Sequence, residues 1–366
     1  MKQKLLLLIF ILSSFLVFSQ IPSGYYNSAT GSGFTLKTQL KNIIDNINDG
    51  NGQAFHDTSV TYGDLWELYE TSDVRNDGKV WDIYSNCNFT FSTDQDRGSG
   101  GTTECDKFNR EHTFAQSWYG GSSSHPLRGD AHHVFPTDKK VNGIRSNYAF
   151  GEVLTTDYTS NNGSKRGTSK IAGPNDKVFE PIDEFKGDIA RALFYVAVRY
   201  QNEINSWENN NNGADNMLDG SSDKVFELWA LDMLNKWHVE DPVSQKEIDR
   251  NEEIFKHQKN RNPFIDHPEY VSEIWSSVLS VKQQLLLEDI SIYPNPSTIN
   301  RITITIPNDL KVDAVVLYNV IGATIYQSKN PTISNQKIRI NDLKKGFYIL
   351  KISSDTKSLS RKIIIQ

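Results

Sequence analysis

Residues 109–118 read NREHTFAQSW and residues 128–147 read RGDAHHVFPTDKKVNGIRSN. The stretch from 105 to 150 has little hydrophobic periodicity and is dense in His, Asn, Arg and Asp. It therefore does not declare itself as an ordinary helix or core strand. Glu111 and His112 are neighbours, and on a regular strand their side chains would point to opposite faces. The pair can serve chemistry if the strand ends or distorts at 111–112, so that each group meets a different part of a substrate. An isolated Glu-His dipeptide is usually solvated and idle. What surrounds it in the chain decides between the two readings.

Around this stretch the first part of the chain reads as mainly helical. FTLKTQLKNIIDNIND sets Leu36, Leu40, Ile43, Ile44 and Ile47 on one helical face, with Gly50 as the stop. A short helix over about 64–70 and a strand at KVWDIYS (79–85) follow, then a Gly/Ser-rich loop from Cys87 to Gly101. DEFKGDIARALFYVAVRY, VFELWALDMLNKWH and DPVSQKEIDRNEEIFKHQ are three further helices, the last expected to begin at Pro242. A final helix covers IDHPEYVSEIWSSVL. Residues 21–280 thus make one mainly helical α+β domain, and 281–288 read as a linker. From 289 to 366 the pattern changes to seven short runs alternating apolar with polar, the signature of a small antiparallel β-sandwich.

At 366 residues the chain is longer than one ordinary core, and 37% hydrophobic with 23% charged residues is a globular composition. MKQKLLLLIFILSSFLVFSQ has lysines ahead of an apolar run too short for a good membrane span, so residues 1–19 read as a secretory signal peptide. Export permits a disulfide between Cys87 and Cys105, the two cysteines of the chain; the alternative is two free buried thiols. Net charge is −6, which does not support generic electrostatic binding to nucleic acid; an acidic protein that acts on it needs local basic clusters and a divalent cation to screen the phosphates. The charge is uneven: residues 289–366 hold 11 Lys+Arg against 5 Asp+Glu, leaving 28 against 40 upstream. No CxxC, P-loop, HExxH or GxSxG occurs, so zinc-finger, NTPase, zincin and nucleophile-elbow chemistries lose their main support.

A metal reading fits the central stretch. A hard cation such as Mg²⁺ takes oxygen ligands and keeps several waters, so the Glu111 carboxylate and one amide oxygen, from Asn142 or Asn147, suffice. His112, left uncoordinated, is then free to take a proton from an attacking water near neutral pH. A zinc hydrolase built from His112, His132 and His133 is a second possibility, since zinc prefers nitrogen ligands in a tetrahedral site. A non-catalytic surface adhesin is a third.

The ordered motifs EHTFAQSW, GDAHHVFPTDKKVNGIRSN and RNPFIDHPE resemble the bacterial extracellular endonuclease I family, secreted non-specific nucleases with a ββα-metal (His-Me finger) active site. The resemblance runs from PSGYY at 22 to the helix at 280. It implies His112 as general base, Glu111 and Asn142 as ligands of Mg²⁺, with Mn²⁺ or Ca²⁺ as other cations, and DNA or RNA as substrate cleaved to 5′-phosphates. It also implies a phosphate-binding arginine, for which Arg145 is the first candidate and Arg128 the second; Arg191, available on its helix, is a further substrate-binding candidate. The usual G-D-L-H-N of the family reads GDAHH here, so His133 inherits no family role. A monomer is expected. At the other end, IYPNP (292–296), VVLYNVIGATIY, LKKGFYILKI and the terminal KIIIQ resemble the sorting domain of type IX secretion cargo, which implies outer-membrane secretion machinery as a partner and an extracellular or surface location.

Overall fold

The computed structural model describes residues 21–45, 61–308, 310–354 and 357–366, with backbone alone for 281–285. The expected signal peptide, and Ile47 and Gly50 of the first expected helix, lie outside those residues. The chain divides into two compact units at 271/272.

In the first unit, α1 (Gly33–Ile44) buries Leu36, Leu40, Ile43 and Ile44, and α2 (Leu65–Ser72) buries Leu65, Leu68 and Tyr69. Residues 79–85 are not the expected strand. Val80 makes an isolated bridge to Val74, after which the Asp82 carboxylate accepts the backbone N–H groups of Tyr84 at 2.8 Å and Ser85 at 3.2 Å. An aspartate that satisfies its own downstream N–H groups makes a turn where a ladder would need those donors. The same carboxylate accepts the Thr137 hydroxyl at 2.7 Å and the Asp138 N–H at 3.1 Å, so the turn braces the strand that carries them.

That strand is β2 (Val134–Asp138), antiparallel to β1 (Phe108–His112) with Glu111 opposite Phe135. The helix α3 (Lys139–Arg145) follows at once, capped by Asp138, whose Oδ1 accepts the Val141 N–H at 2.9 Å. The other carboxylate oxygen of Asp138 accepts the Cys105 N–H at 2.6 Å, and Cys105 is disulfide-bonded to Cys87. The sequence separation of 18 makes this closure worth about 3 kcal/mol on the chain-entropy model, and it ties the start of α3 to the preceding loop. Next come β3 (Ala149–Phe150), β4 (Val153–Thr159), β5 (Lys165–Ser169) and β6 (Lys177–Glu180), in the order β3-β6-β5-β4, antiparallel except for the β3–β6 pair.

The helix α4 (Lys186–Arg199) is buried on every side: apolar residues take most positions, and Asp188, Arg191 and Arg199 are buried with them. It packs against α1, α6 (Leu228–Glu240) and α8 (Pro263–Asp266); α5 (Asn212–Met217) lies against β3. The helix α7 (Gln245–Gln258) starts three residues after the expected Pro242, because Ser244 and Glu247 close a reciprocal capping box that sets its first turn. It stops at Lys259, which takes the left-handed conformation at φ 64°.

The helix α9 (Tyr270–Glu288) runs through 281–288, so the expected linker is helical instead. Leu287 explains why: it is buried in the core of the C-terminal unit, which holds that end of the helix in place. The seven expected runs form seven strands: β7 (Ser291–Tyr293), β8 (Ile302–Thr305), β9 (Ala314–Asn319), β10 (Thr324–Lys329), β11 (Lys337–Ile340), β12 (Gly346–Ser354) and β13 (Lys357–Ile365). They pair antiparallel in two sheets, β10-β9-β12-β13 and β11-β8-β7. One apolar cluster takes Ile302, Ile304 and Ile338 from the smaller sheet and Val315, Leu317, Leu350 and Ile363 from the larger. Among the described residues no helix is long and apolar enough to cross a membrane.

Candidate active site

The strands β1 and β2 and the helix α3 bring the central motifs to one polar cavity of about 510 Å³, lined by Asn109, Arg110, Glu111, His112, Gln116, Asn142, Arg145 and Asn147 with Tyr62. Glu111 and His112 both reach it because β1 ends at His112. Arg145 holds that end: its guanidinium donates to the carbonyls of His112 and Thr113, each at 2.7 Å.

The Glu111 side chain is almost wholly buried. Its Oε1 accepts the Tyr84 hydroxyl at 2.9 Å and pairs with Arg145 NH1 at 2.9 Å. Burial pushes its carboxyl up to about 7, against the opposing pull of Arg145 and of the Tyr84 hydrogen bond. A cation at the carboxylate would favour the ionised form. Oε2 takes part in neither bond. On α3, Asn142 spends its amide donors on Asn109 Oδ1 at 2.8 Å and the Arg110 carbonyl at 3.3 Å, so its remaining polar atom is the acceptor Oδ1. The donor set that the chain offers is thus a carboxylate and an amide oxygen, which is hard-cation chemistry.

His112 is fixed by its ring nitrogens. Nε2 lies 3.0 Å from the Arg128 carbonyl, which can only accept, so Nε2 carries the hydrogen and Nδ1 is left with its lone pair. Nδ1 faces the Gln116 amide nitrogen at 3.4 Å. Burial, and then the neighbouring His133, hold the imidazole pKa well below its ordinary range, so the ring is neutral at physiological pH. The site therefore presents an oriented neutral base beside an oxygen donor pair.

The arginines sort differently from expectation. Arg145, the first candidate for phosphate, is buried and spent on Glu111 and two carbonyls. Arg191 is not at the cavity at all: it is fully buried in α4, paired with Glu247 and donating to the Asp241 carbonyl at 2.9 Å. The apolar face of its helix is wide enough to take the arginine inward once Glu247 meets it. Replacing Arg191 with Met leaves that carboxylate buried without its partner, and an unfolding free energy lower by about 3–5 kcal/mol is expected, with KM for nucleic acid unchanged. A raised KM at unchanged melting temperature would return Arg191 to the substrate. Arg128 lines an adjoining cavity of about 430 Å³ with Thr61, Tyr62 and His125, its guanidinium carbon 4.5 Å from the Tyr62 ring centre. Arg110 also stacks on that ring, its guanidinium carbon 3.4 Å from the centre, and donates to the Tyr62 carbonyl at 2.6 Å.

Tyr62, Tyr84, Asn109, Arg110 and Gln116 are site residues that sequence reasoning does not single out. Gln116 sits within the quoted motif, whereas Tyr84 lies in a segment read as a strand and gives no signal of its own. The three-histidine zinc alternative does not assemble. His132 Nε2 is 3.1 Å from the Asn260 carbonyl and His133 Nε2 is 2.6 Å from that of Leu127. Among the described residues the one group whose ligand atoms converge is Cys87, Cys105 and Asp138, and its sulfurs are bonded to each other.

Burial drives His132 from its ordinary 6.5 down to about 3, so the folded state refuses a proton that the unfolded chain accepts. Its contribution to stability is complete above pH 6.5 and is lost as the pH falls toward about 3. The melting temperature is expected to drop steadily from neutral pH into that window. In His132→Gln, which keeps a donor for the Asn260 carbonyl but cannot titrate, the drop is shallower; an identical slope would remove His132 from the account.

The model of the endonuclease I family matches residues 32–269. The chain belongs to that family. An extracellular ribonuclease of Bacillus amyloliquefaciens is 35% identical over 262 residues, covering 69% of this chain and 78% of that protein. An extracellular ribonuclease of Bacillus subtilis is 34% identical over 255 residues, with the same shares of 69% and 78%. A periplasmic deoxyribonuclease of Aeromonas hydrophila is 28% identical over 144 residues, covering 38% of this chain and 48% of that one. Residues 291–366 match a secretion system C-terminal sorting domain. This endonuclease I member is a secreted nuclease, a hydrolase acting on nucleic acid, and nucleases of its family depend on divalent metal.

Proposed function

We propose that this protein hydrolyses phosphodiester bonds of DNA and RNA endonucleolytically, with little sequence preference, using one Mg²⁺ ion and His112 as general base, and releases 5′-phosphates. The observation that carries the reading is the His112 ring: Nε2–H held on the Arg128 carbonyl and Nδ1, with its lone pair, facing the Gln116 amide at 3.4 Å, beside the Glu111 and Asn142 oxygens in one cavity. In this reading β1, β2 and α3 are a ββα-metal motif, and the two C-terminal sheets are a sandwich serving passage through the secretion machinery. Mn²⁺ or Ca²⁺ would suit the same oxygen donors.

His112 Nδ1 takes the proton of a water as its oxygen attacks phosphorus, and the bond to the 3′-oxygen breaks, giving a 5′-phosphate and, after protonation from solvent, a 3′-hydroxyl. The Arg128 carbonyl keeps the ring from turning and steadies the imidazolium that forms. A divalent cation held by Glu111 and Asn142 would neutralise charge developing on the phosphate. Arg145 keeps Glu111 aimed, as a positioning residue. Arg110 and Arg128, which lie over Tyr62 and line the two cavities without a carboxylate partner among the described residues, are the cations offered to substrate phosphate. Contacts to phosphate and sugar carry no sequence information, hence the low specificity.

The test is supercoiled plasmid and a structured RNA incubated in parallel with the mature full chain, in Mg²⁺ and in chelator, with the new ends labelled. Nicking that needs the cation and leaves 5′-phosphates is expected. Intact plasmid across a range of salt, or equal cleavage in chelator, would discard the mechanism.

A further inference from the structure

The C-terminal unit exposes apolar side chains that its own core does not use. Among the described residues of the first unit, Leu154 and Val239 are the large apolar side chains that stand well into solvent, whereas the C-terminal unit shows Phe347 and Ile349 half-exposed, Val320 at 75% and Ile321 at 84%. Strand alternation explains where they lie. In β12 the residues Tyr348, Leu350 and Ile352 turn into the core, so Phe347, Ile349 and Lys351 share the outer face.

Register gathers them into one patch. Ile349 lies opposite Tyr318 on β9, Phe347 lies opposite Ile364 on β13, and the β9–β10 turn bearing Val320 and Ile321 continues from Asn319, which pairs with Tyr348. That turn is built: the Asn319 side chain accepts the N–H groups of Ile321 at 3.2 Å and Ala323 at 2.9 Å, and Gly322 supplies the positive φ of 79°. Two aliphatic side chains are thus held out in water by an ordered turn, beside a sheet face carrying an exposed aromatic. Contiguous exposed apolar surface of this kind marks a contact surface.

Its charge says what kind. Lys351 shares the face and Lys362, opposite Ile349, holds its ammonium 4.9 Å from the Phe347 ring centre. Neither lysine has a carboxylate partner among the described residues, and residues 289–366 carry 11 Lys+Arg against 5 Asp+Glu. Anionic bilayers are held by clusters of about four to eight cations. Here Lys351, Lys362 and Lys329, opposite Ala314 on the same face, are three cations, fewer than such a cluster, and they are interleaved with aliphatic and aromatic groups at strand spacing, a pattern suited to a protein partner with apolar contacts inside an acidic rim.

We propose that the outer face of the β10-β9-β12-β13 sheet, centred on Phe347, Ile349 and the Val320–Ile321 turn, is the docking surface of the sorting domain for an acidic protein component of the secretion apparatus. The proposal rests on the sorting-domain assignment. The experiment uses full-length protein in a host with the matching secretion system, comparing wild type, Phe347→Ser with Ile349→Ser, Lys362→Glu, and a chain ending before Asp289. Nuclease activity is measured in medium and periplasm.

Because these positions are exposed, the variants should keep the wild-type melting temperature and specific activity. The exported fraction of the double variant is expected to fall at least about tenfold, as for loss of central apolar anchors, with active enzyme accumulating in the periplasm, and Lys362→Glu should fall in the same direction. Normal export of both variants while the truncated chain is retained overturns the face and leaves the sorting domain standing. Normal export of the truncated chain overturns both. Binding of wild type to phosphatidylglycerol vesicles that the double variant loses, without any export defect, would assign the face to a bilayer and overturn the proposal.

Discussion

In His112→Ala, plasmid nicking is expected to fall by about 10²–10⁴-fold in kcat, the ordinary contribution of a positioned general base. The reason lies in the ring geometry. Nδ1 is the buried neutral acceptor in the cavity that the Arg128 carbonyl orients, and neither Gln116 nor Asn142 can take a proton near neutral pH. Binding of the divalent cation, followed calorimetrically with catalysis blocked by non-cleavable nucleic acid, should be nearly unchanged, since the imidazole is no part of the carboxylate and amide donor pair. The melting temperature should fall modestly, because a buried ring packed against Tyr62 and His133 is lost. Turnover within a small factor of wild type would remove His112 from the chemistry; lost cation binding would make it a ligand.

Removing Glu111 is expected to have two effects with different causes. In Glu111→Ala the affinity for Mg²⁺ should fall at least as far as the 10–100-fold typical of losing a group that merely supports a ligand, about that much or more. Stability should also fall by about 3–5 kcal/mol, because Arg145 is left as a buried charge without its carboxylate. The double variant Glu111→Ala with Arg145→Met separates the two: stability should recover in part while cation affinity stays lost. For wild type, burial holds the Glu111 carboxyl near about 7, so cation binding must displace a proton and should weaken as the pH falls below that value. Full cation affinity in Glu111→Ala would move the metal elsewhere. Unchanged stability would show that Arg145 is satisfied without it.

Much of the candidate site is legible in the sequence because its parts are short-range. Glu111 and His112 are adjacent and stand out locally, whereas the residues alone leave the amide to Asn142 or Asn147 and the ordered family motif selects Asn142, on a helix that begins at an aspartate cap. The seven C-terminal strands are legible for a similar reason: a period of two needs nothing from elsewhere in the chain. Two failures are local, the Asp82 turn at 79–85 and the Ser244–Glu247 box that resets the start of α7; the rest need partners from farther along the chain. Arg191 is drawn inward by Glu247, 56 residues away, and helical periodicity says which face an arginine occupies, not whether a carboxylate will meet it there. Tyr84 reaches Glu111 across 27 residues from a segment whose alternation reads as a strand until Asp82 turns it. The helical 281–288 segment was hidden because the core that holds Leu287 belongs to the following strands.

The sequence alone determined the division into a chemically equipped α+β part and a strand-rich part without His, Cys or Glu, and it singled out Glu111, His112 and Asn142, which the fold brings to one cavity. Tertiary structure decided which arginines are spent on buried carboxylates and which line the cavities without one. Arg145 and Arg191 carry the same charge in the sequence as Arg110 and Arg128, but burial makes a guanidinium costly unless a carboxylate and carbonyls surround it. Only the folded chain supplies those partners to the first pair and leaves the second beside Tyr62 at the open cavities.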